Sequence, residues 1–180
     1  HNKQLPESTK DAIKQLQDNG VYVAIATGRA PFMFESLRKE LGIHSYISYN
    51  GQFVVFEDEI IYKNPLQKKS LQNVYDRAQE YEAPLVFMSE HTMKSTVEYS
   101  EHIETAMSSF SIPHPEYEED FFLNEDIFQT LLYIAPEEEK AFSDVDEDIR
   151  FIRWHPVALD IVPANGSKAN LQAILLGESA

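Results

Sequence analysis

Cysteine, basic side chains and long apolar runs are all scarce in this sequence. The absence of cysteine excludes disulfide bonds and thiol chemistry, and it fits a reducing cytosol. Lys and Arg number 15 against 30 Asp and Glu, so the formal net charge is −15. Because a phosphate backbone requires a basic surface, the sequence predicts no nucleic acid partner.

The apolar runs are too short for a membrane-spanning helix. The longest have about six residues, whereas a span needs about 20, and no signal-peptide pattern is present. We therefore expect a cytoplasmic protein without a membrane segment. A hydrophobic content of 43% in 180 residues is enough for one large domain or two small ones. The sequence begins without methionine, and we interpret it as a fragment.

An uncharged run at 21–26 leads into Thr27-Gly28-Arg29. Its small and β-branched residues indicate a strand buried on both faces of a parallel α/β sheet. Gly28 permits a tight turn and a close approach by a ligand, and Pro31 suits the first turn of a helix. Ligands of open α/β sheets bind at the carboxyl ends of strands. Thr27, Gly28 and Arg29 are thus candidates for an anion site; the alternative is an ordinary strand-to-helix loop.

Helix and strand patterns alternate before residue 51. Helices are expected at 6–19 and 31–41, and a further strand at 46–49 ends in Asn50-Gly51. This order argues for parallel units in one sheet. If both strands are parallel members of one sheet, Thr27-Gly28 and Asn50-Gly51 lie on the same sheet edge.

After Gly51 the pattern becomes α+β, with strands arranged in hairpins, and the block at 53–162 is expected to be an inserted domain. Strands are predicted at 53–56, 60–62, 85–88, 93–97, 127–135, 149–154 and 157–162, helices at 65–81, 101–110 and 136–146, and a loop at 111–124. We interpret Asp160 and the acidic run 116–120 as hairpin and loop residues. The six histidines lack the spacing of a zinc site.

Lys168 lies in the first turn of a last predicted helix, at 166–176. A cation is unfavourable at a helix N-terminus. An anion held by both the helix end and the ammonium group would justify it. The alternative is a solvated surface lysine.

Three motifs occur in order along nearly the whole chain: Ile25-Ala26-Thr27-Gly28-Arg29, Asn50-Gly51 before a hairpin, and Asp160-Ile161-Val162-Pro163 leading to Ser167-Lys168. With them the chain resembles the Cof-type phosphatases of the haloacid dehalogenase (HAD) superfamily. Sucrose-phosphate phosphatases and phosphomannomutases share the same plan. The resemblance implies an α/β fold with a Rossmann-like HAD core, incomplete here, at 1–52 and 163–180, and an inserted α+β cap domain at 53–162.

The resemblance also implies roles for individual residues. The hydroxyl of Thr27 would bind the transferring phosphoryl group, and Lys168 would neutralise the phosphate and the nucleophile. Substrate-binding positions would be Gly28, Arg29, Asn50 and Gly51.

Two motifs of the resembled family are missing from the sequence. Its D-x-D-G-T motif would precede His1, and its G-D-x-x-N-D motif would follow Ala180. They would supply the nucleophile and the Mg²⁺ ligands, so no metal ligand is predicted in this chain. The resemblance implies that the parent protein is a Mg²⁺-dependent phosphatase of a small phosphorylated metabolite, acting through an aspartyl phosphate, and that the fragment alone is inactive. The alternatives are a phosphomutase and a non-catalytic binding module. The sequence does not indicate the oligomeric state.

Overall fold

The computed structural model describes residues 5–165, which fall into two units, one ending at Lys63 and the other beginning at Asn64. The helix predicted at 166–176, and with it Lys168, lies outside the described residues. No helix within 5–165 combines the length and the apolar character that a membrane crossing requires.

The first unit, residues 5–63, is built on a four-stranded sheet of order β1-β2-β3-β4. Its elements are α1 (Glu7–Asp18), β1 (Ala24–Ala26), α2 (Glu35–Glu40), β2 (Ser45–Ser48), β3 (Phe53–Phe56) and β4 (Glu59–Lys63). The strands β1 and β2 are parallel, with Ala26 opposite Ile47. This confirms the parallel arrangement that the alternation of helix and strand predicted.

The hairpin of β3 and β4 belongs to the sheet of the first unit. Phe53 pairs with Ser48 and Val55 pairs with Tyr46, so the backbone groups along the far edge of β2 are satisfied by β3. The sequence placed the start of the inserted block at residue 53, whereas the second unit begins at Asn64.

The expectation that segment 21–26 is buried on both faces is wrong. Only Ala24–Ala26 is strand; both alanines are exposed, Ile25 is half-buried, and the side chain of Tyr22 is 70% exposed. Within residues 5–165, β1 is an edge strand paired with β2 alone, and α1 contributes no buried side chain. At an edge position, one side of the strand has no neighbouring strand among the described residues, and this accounts for the exposure of its side chains.

The single helix predicted at 31–41 is also wrong. A 3₁₀ turn, Pro31–Met33, is followed by α2, and Phe34 interrupts them with φ −128°. The ring of Phe34 is buried and packs edge-on against Tyr46 of β2, with ring centroids 5.5 Å apart. Turning this ring toward the sheet takes the backbone out of the helical range. The helix ends as predicted, with Gly42 at φ +59°.

The second unit, residues 64–165, contains an antiparallel five-stranded sheet of order β6-β5-β7-β9-β8. Its elements are α3 (Lys68–Glu80), β5 (Leu85–Met88), β6 (Met93–Ser95), α4 (Glu101–Ser108), α5 (Phe121–Asn124), β7 (Gln129–Leu132), β8 (Ile149–His155) and β9 (Ala158–Pro163). One face of α3 is buried. Its buried Leu71, Val74 and Ala78 join Leu85, Leu132 and other apolar side chains in one core.

Two segments of the second unit differ from the sequence prediction. The helix expected at 136–146 is a 3₁₀ helix, Pro136–Phe142, in which Ala135 N–H donates to a Glu138 carboxylate oxygen at 2.8 Å. The loop expected at 111–124 contains the short helix α5. Its adjacent Phe121 and Phe122 are both buried in the core, and their burial gives this part of the loop a fixed structure.

The two ends of the second unit lie side by side. The side-chain amide of Asn64 donates to Oδ1 of Asn165 at 3.0 Å. Such proximity of the ends is what an inserted domain requires.

Candidate functional site

Backbone hydrogen bonds tie the end of β1 to the end of β2. Thr27 N–H donates to the carbonyl of Ile47 at 2.9 Å, and Asn50 N–H donates to the carbonyl of Thr27 at 3.3 Å. Tyr49 N–H donates to the carbonyl of Arg29 at 3.3 Å. The structure therefore brings together the two predicted strand ends at one carboxyl edge, where ligands of α/β sheets bind.

The turn after β1 presents several hydrogen-bond donors that the described residues leave free. The hydroxyl oxygen of Thr27 accepts the N–H of Arg29 at 3.2 Å, so its own O–H remains able to donate. Within residues 5–165, the N–H of Gly28 has no acceptor and the exposed guanidinium of Arg29 has no carboxylate partner. A hydroxyl, an amide and a fixed positive charge can together bind an anion.

Three consecutive residues after β2 have left-handed backbone conformations: Tyr49 at φ 50°, Asn50 at φ 53° and Gly51 at φ 101°. Asparagine and glycine tolerate this region, whereas tyrosine is strained there by about 1–3 kcal/mol. The side chain of Tyr49 is buried, and its N–H is hydrogen-bonded, so packing holds the strained conformation. Sequence reasoning missed Tyr49, because only the Asn-Gly pair beside it carries a turn signal.

Gly28 and Asn50 meet across the site. A Cβ atom at position 28 would lie 3.0 Å from both Nδ2 and Oδ1 of Asn50. The backbone of Gly28 is not left-handed, so the close approach of the neighbouring amide, rather than φ, makes glycine suitable at this position.

The resembled family implies Mg²⁺, and the residues that the structure describes do not fit a metal site. Among residues 5–165 there is no group of three His, Cys, Asp or Glu side chains that could hold a metal ion. Lys168 is outside the described range, so its position relative to Thr27 stays a prediction.

Sequence reasoning also missed a partly buried carboxyl with a shifted pKa in the second unit. Asp160 lies on β9 opposite Leu131, and burial raises its pKa to about 6. Gln129 and Trp154 act on it as donors and partly offset this shift, although the Trp154 indole N–H meets no acceptor at full hydrogen-bond geometry. Burial also raises the pKa of the Tyr133 hydroxyl, which has no hydrogen-bond partner in the described part of the chain. The available signal was one acid within the apolar run 157–162.

The acidic run 116–120 is a loop, as predicted, and its carboxylates have defined partners. Glu116 pairs with Lys94 at 2.6 Å, which holds the pKa of the Glu116 carboxyl below its usual range. Glu119 accepts hydrogen bonds from the hydroxyls of Tyr75 and Tyr117. Tyr75, Tyr117 and Glu119 border a cavity of about 580 Å³ in the second unit.

The sequence matches the family of haloacid dehalogenase-like hydrolases over residues 1–176. A protein of Bacillus subtilis (strain 168) named "Putative phosphatase YkrA" is 45% identical over 169 residues, which are 94% of this chain and 65% of that protein. The chain thus spans slightly less than two thirds of the length of this curated relative.

Two solved structures extend the comparison. The crystal structure of a hypothetical protein from Geobacillus kaustophilus HTA426 has a TM-score of 0.94 and 43% identity, over 99% of this chain and 70% of that one. The HAD subclass IIB sugar phosphatase BT4131 has a TM-score of 0.72 and 21% identity, over 98% and 69% of the two chains. The latter identity supports a shared fold only. The resemblance seen in the three sequence motifs is confirmed, and the chain belongs to the family of haloacid dehalogenase-like hydrolases.

Proposed function

We propose that the complete protein removes the phosphate group from a small phosphorylated metabolite, and that the turns after β1 and β2 bind this group. One observation supports the proposal most directly. The hydroxyl of Thr27, the amide of Gly28 and the guanidinium of Arg29, whose donors find no acceptor among residues 5–165, follow the carboxyl end of a strand in a parallel pair. Phosphoryl transfer depends mainly on positioning and charge stabilisation, which such donors supply.

In the proposed mechanism, Thr27 donates its hydroxyl hydrogen to a phosphoryl oxygen. Lys168 neutralises the charge of the phosphate and of the nucleophile. The nucleophile is an aspartate that becomes an aspartyl phosphate. We assign it, together with the ligands of a required Mg²⁺ ion, to the part of the complete protein that corresponds to the uncovered third of the B. subtilis relative.

For the substrate we propose a sugar phosphate or a metabolite of similar size. The sugar phosphatase with the same fold supports this choice. We assign the second unit as the cap domain that selects the substrate. Its length and its adjacent ends support that assignment.

The test is phosphate release by the complete protein from p-nitrophenyl phosphate and from a panel of sugar phosphates, with Mg²⁺ and with EDTA. We expect release with Mg²⁺ only. A Thr27→Val variant should lose about tenfold or more in turnover, because it keeps the shape of the side chain and removes the donor. A Lys14→Ala variant, on the exposed face of α1, serves as the control. Transfer of phosphate between sugar positions without release would favour a mutase, and binding without turnover would favour a non-catalytic module.

A further inference from the structure

Asn50 lies against the turn formed by Thr27–Arg29. The substrate-binding role expected for Asn50 does not require this contact. Its side-chain amide lies beside Gly28, 3.0 Å from where a Cβ atom of residue 28 would stand, and its own N–H donates to the carbonyl of Thr27 at 3.3 Å. Asn50 therefore adds one backbone bond and one side-chain contact to the two other backbone bonds that join the turn after β1 to β2, those of Thr27 N–H and Tyr49 N–H.

The left-handed backbone explains how Asn50 reaches this position. With φ 53° and ψ 30°, its side chain projects differently from that of a residue continuing the strand. Asparagine is one of the few residues with a side chain that adopts this conformation readily. A larger side chain at position 28 would collide with the amide, and a residue unable to adopt the left-handed conformation at position 50 would move it away.

We propose that Asn50 is a positioning residue: its amide, packed on Gly28, holds the turn Thr27–Arg29 in the conformation that presents the Thr27 hydroxyl and the Gly28 amide to a phosphate. The phosphate part of this statement rests on the function proposed above. The contact between Asn50 and Gly28 does not depend on that function, so the contact and phosphate binding can be tested separately.

The first test is a double-mutant cycle in the full chain, followed by thermal unfolding and by the ¹H–¹⁵N shifts of Thr27 and Arg29. Gly28→Ala should lower Tm and shift both amides, because the new methyl group meets the Asn50 amide at 3.0 Å. Asn50→Gly keeps the left-handed backbone and removes the amide. In the Asn50→Gly background, Gly28→Ala should therefore lower Tm only slightly and change the amide shifts of Thr27 and Arg29 much less. Equal effects of Gly28→Ala in both backgrounds would overturn the proposal, because independent sites add.

A matched control separates this contact from general strain. Gly42 also lies in the first unit, and a Cβ there would meet nothing within 4 Å, but its φ is +59°. Gly42→Ala should lower Tm through backbone strain alone and leave the shifts of Thr27 and Arg29 unchanged. Shifts at these two amides in Gly42→Ala equal to those in Gly28→Ala would also overturn the proposal.

The second test uses inorganic phosphate as the probe, titrated into the full chain. In the wild-type chain, phosphate should shift the amides of residues 27–29. Asn50→Gly should weaken this binding about tenfold, and Gly42→Ala should leave it unchanged. Asn50→Asp keeps the contact and tolerates the left-handed backbone, so the wild-type turn shifts should be restored, while its charge weakens phosphate binding. Turn shifts in Asn50→Asp as large as those in Asn50→Gly would contradict positioning by shape. If Gly28→Ala and Asn50→Gly are non-additive but phosphate shifts none of the amides, the phosphate site is rejected. The positioning contact between Asn50 and Gly28 is then still supported.

Discussion

The side chain of Gln129 favours the charged form of the Asp160 carboxyl in the second unit, yet burial outweighs this effect and raises the pKa of that carboxyl to about 6. The folded state therefore binds this proton more tightly than the unfolded state, whose pKa is near 3.8. The resulting stabilisation is complete below the unfolded pKa and is lost as the pH rises through about 6.

We expect Asp160→Asn to remove this pH dependence, since asparagine mimics the protonated carboxyl. At pH 7.5 the variant should be more stable than the wild type by roughly 2 kcal/mol, and near pH 4 the difference should almost vanish. Urea unfolding between pH 4 and 8 measures the difference. Glu147→Gln, at an exposed position in the same unit, is the control. A difference that is the same at every pH would contradict the assignment of the buried charge.

Lys168→Ala should reduce the turnover of the complete protein by about 10²-fold or more, because a preorganised charge at a transferring phosphate is lost. Steady-state hydrolysis of the best substrate from the panel measures it, with Lys14→Ala as the control for a surface ammonium group. Full activity of Lys168→Ala would show that this lysine is an ordinary surface residue.

A crystal structure of the complete protein should place the hydroxyl of Thr27 and the ammonium of Lys168 at one cavity. Because a single phosphate must accept hydrogen bonds from both, their functional atoms should lie within about 10 Å. A larger separation would rule out a shared phosphate.

Hydrogen exchange in the chain of residues 1–180 should be uneven. The amides of segment 21–26 should exchange fast, or show protection that rises with protein concentration, because β1 is an exposed edge strand that can pair with another chain. The strands β7 and β9, paired on both sides in the second unit, should be protected. Equal protection of these strands and of segment 21–26 at all concentrations would disprove this expectation.

Leu132→Ala should destabilise the second unit by about 2–5 kcal/mol, because its side chain is fully buried between β5 and β9 in the core. Leu123→Ala removes the same atoms from a side chain that is 55% exposed, and its effect should stay within about 0.5 kcal/mol. Chemical unfolding of both variants provides the comparison. Similar losses would mean that the packing around Leu132 relaxes to fill the space.

The shared edge of β1 and β2 could be predicted because the chain order determines it. Two strands joined through a helix in one sheet run parallel, so Thr27 and Asn50 follow carboxyl ends at the same edge, and the structure adds that the two strands are neighbours. The contact between Gly28 and the Asn50 amide could not be predicted, because it depends on the left-handed conformation of the backbone at 49–51.

The exposure of each strand and the strand with which it pairs were harder to predict than the positions of the strands. The apolar run at 21–26 indicates a strand, but its exposure depends on what lies beside it, which no local pattern encodes. The turn at Glu57-Asp58 likewise indicates a hairpin without showing that β3 pairs with β2. At Phe34, a long-range contact with Tyr46 accompanies the break in a helical pattern that the local sequence favours.

The hydrogen bond between Asn64 and Asn165 makes the second unit transferable in principle. The two ends of the unit are only a hydrogen bond apart. The unit can therefore be inserted where the host sheet otherwise has a tight surface loop. Modules of different length can then replace one another at the same junction without altering the register of the host strands. Descendants of one hydrolase can in this way exchange a whole module while the turns after β1 and β2 remain unchanged.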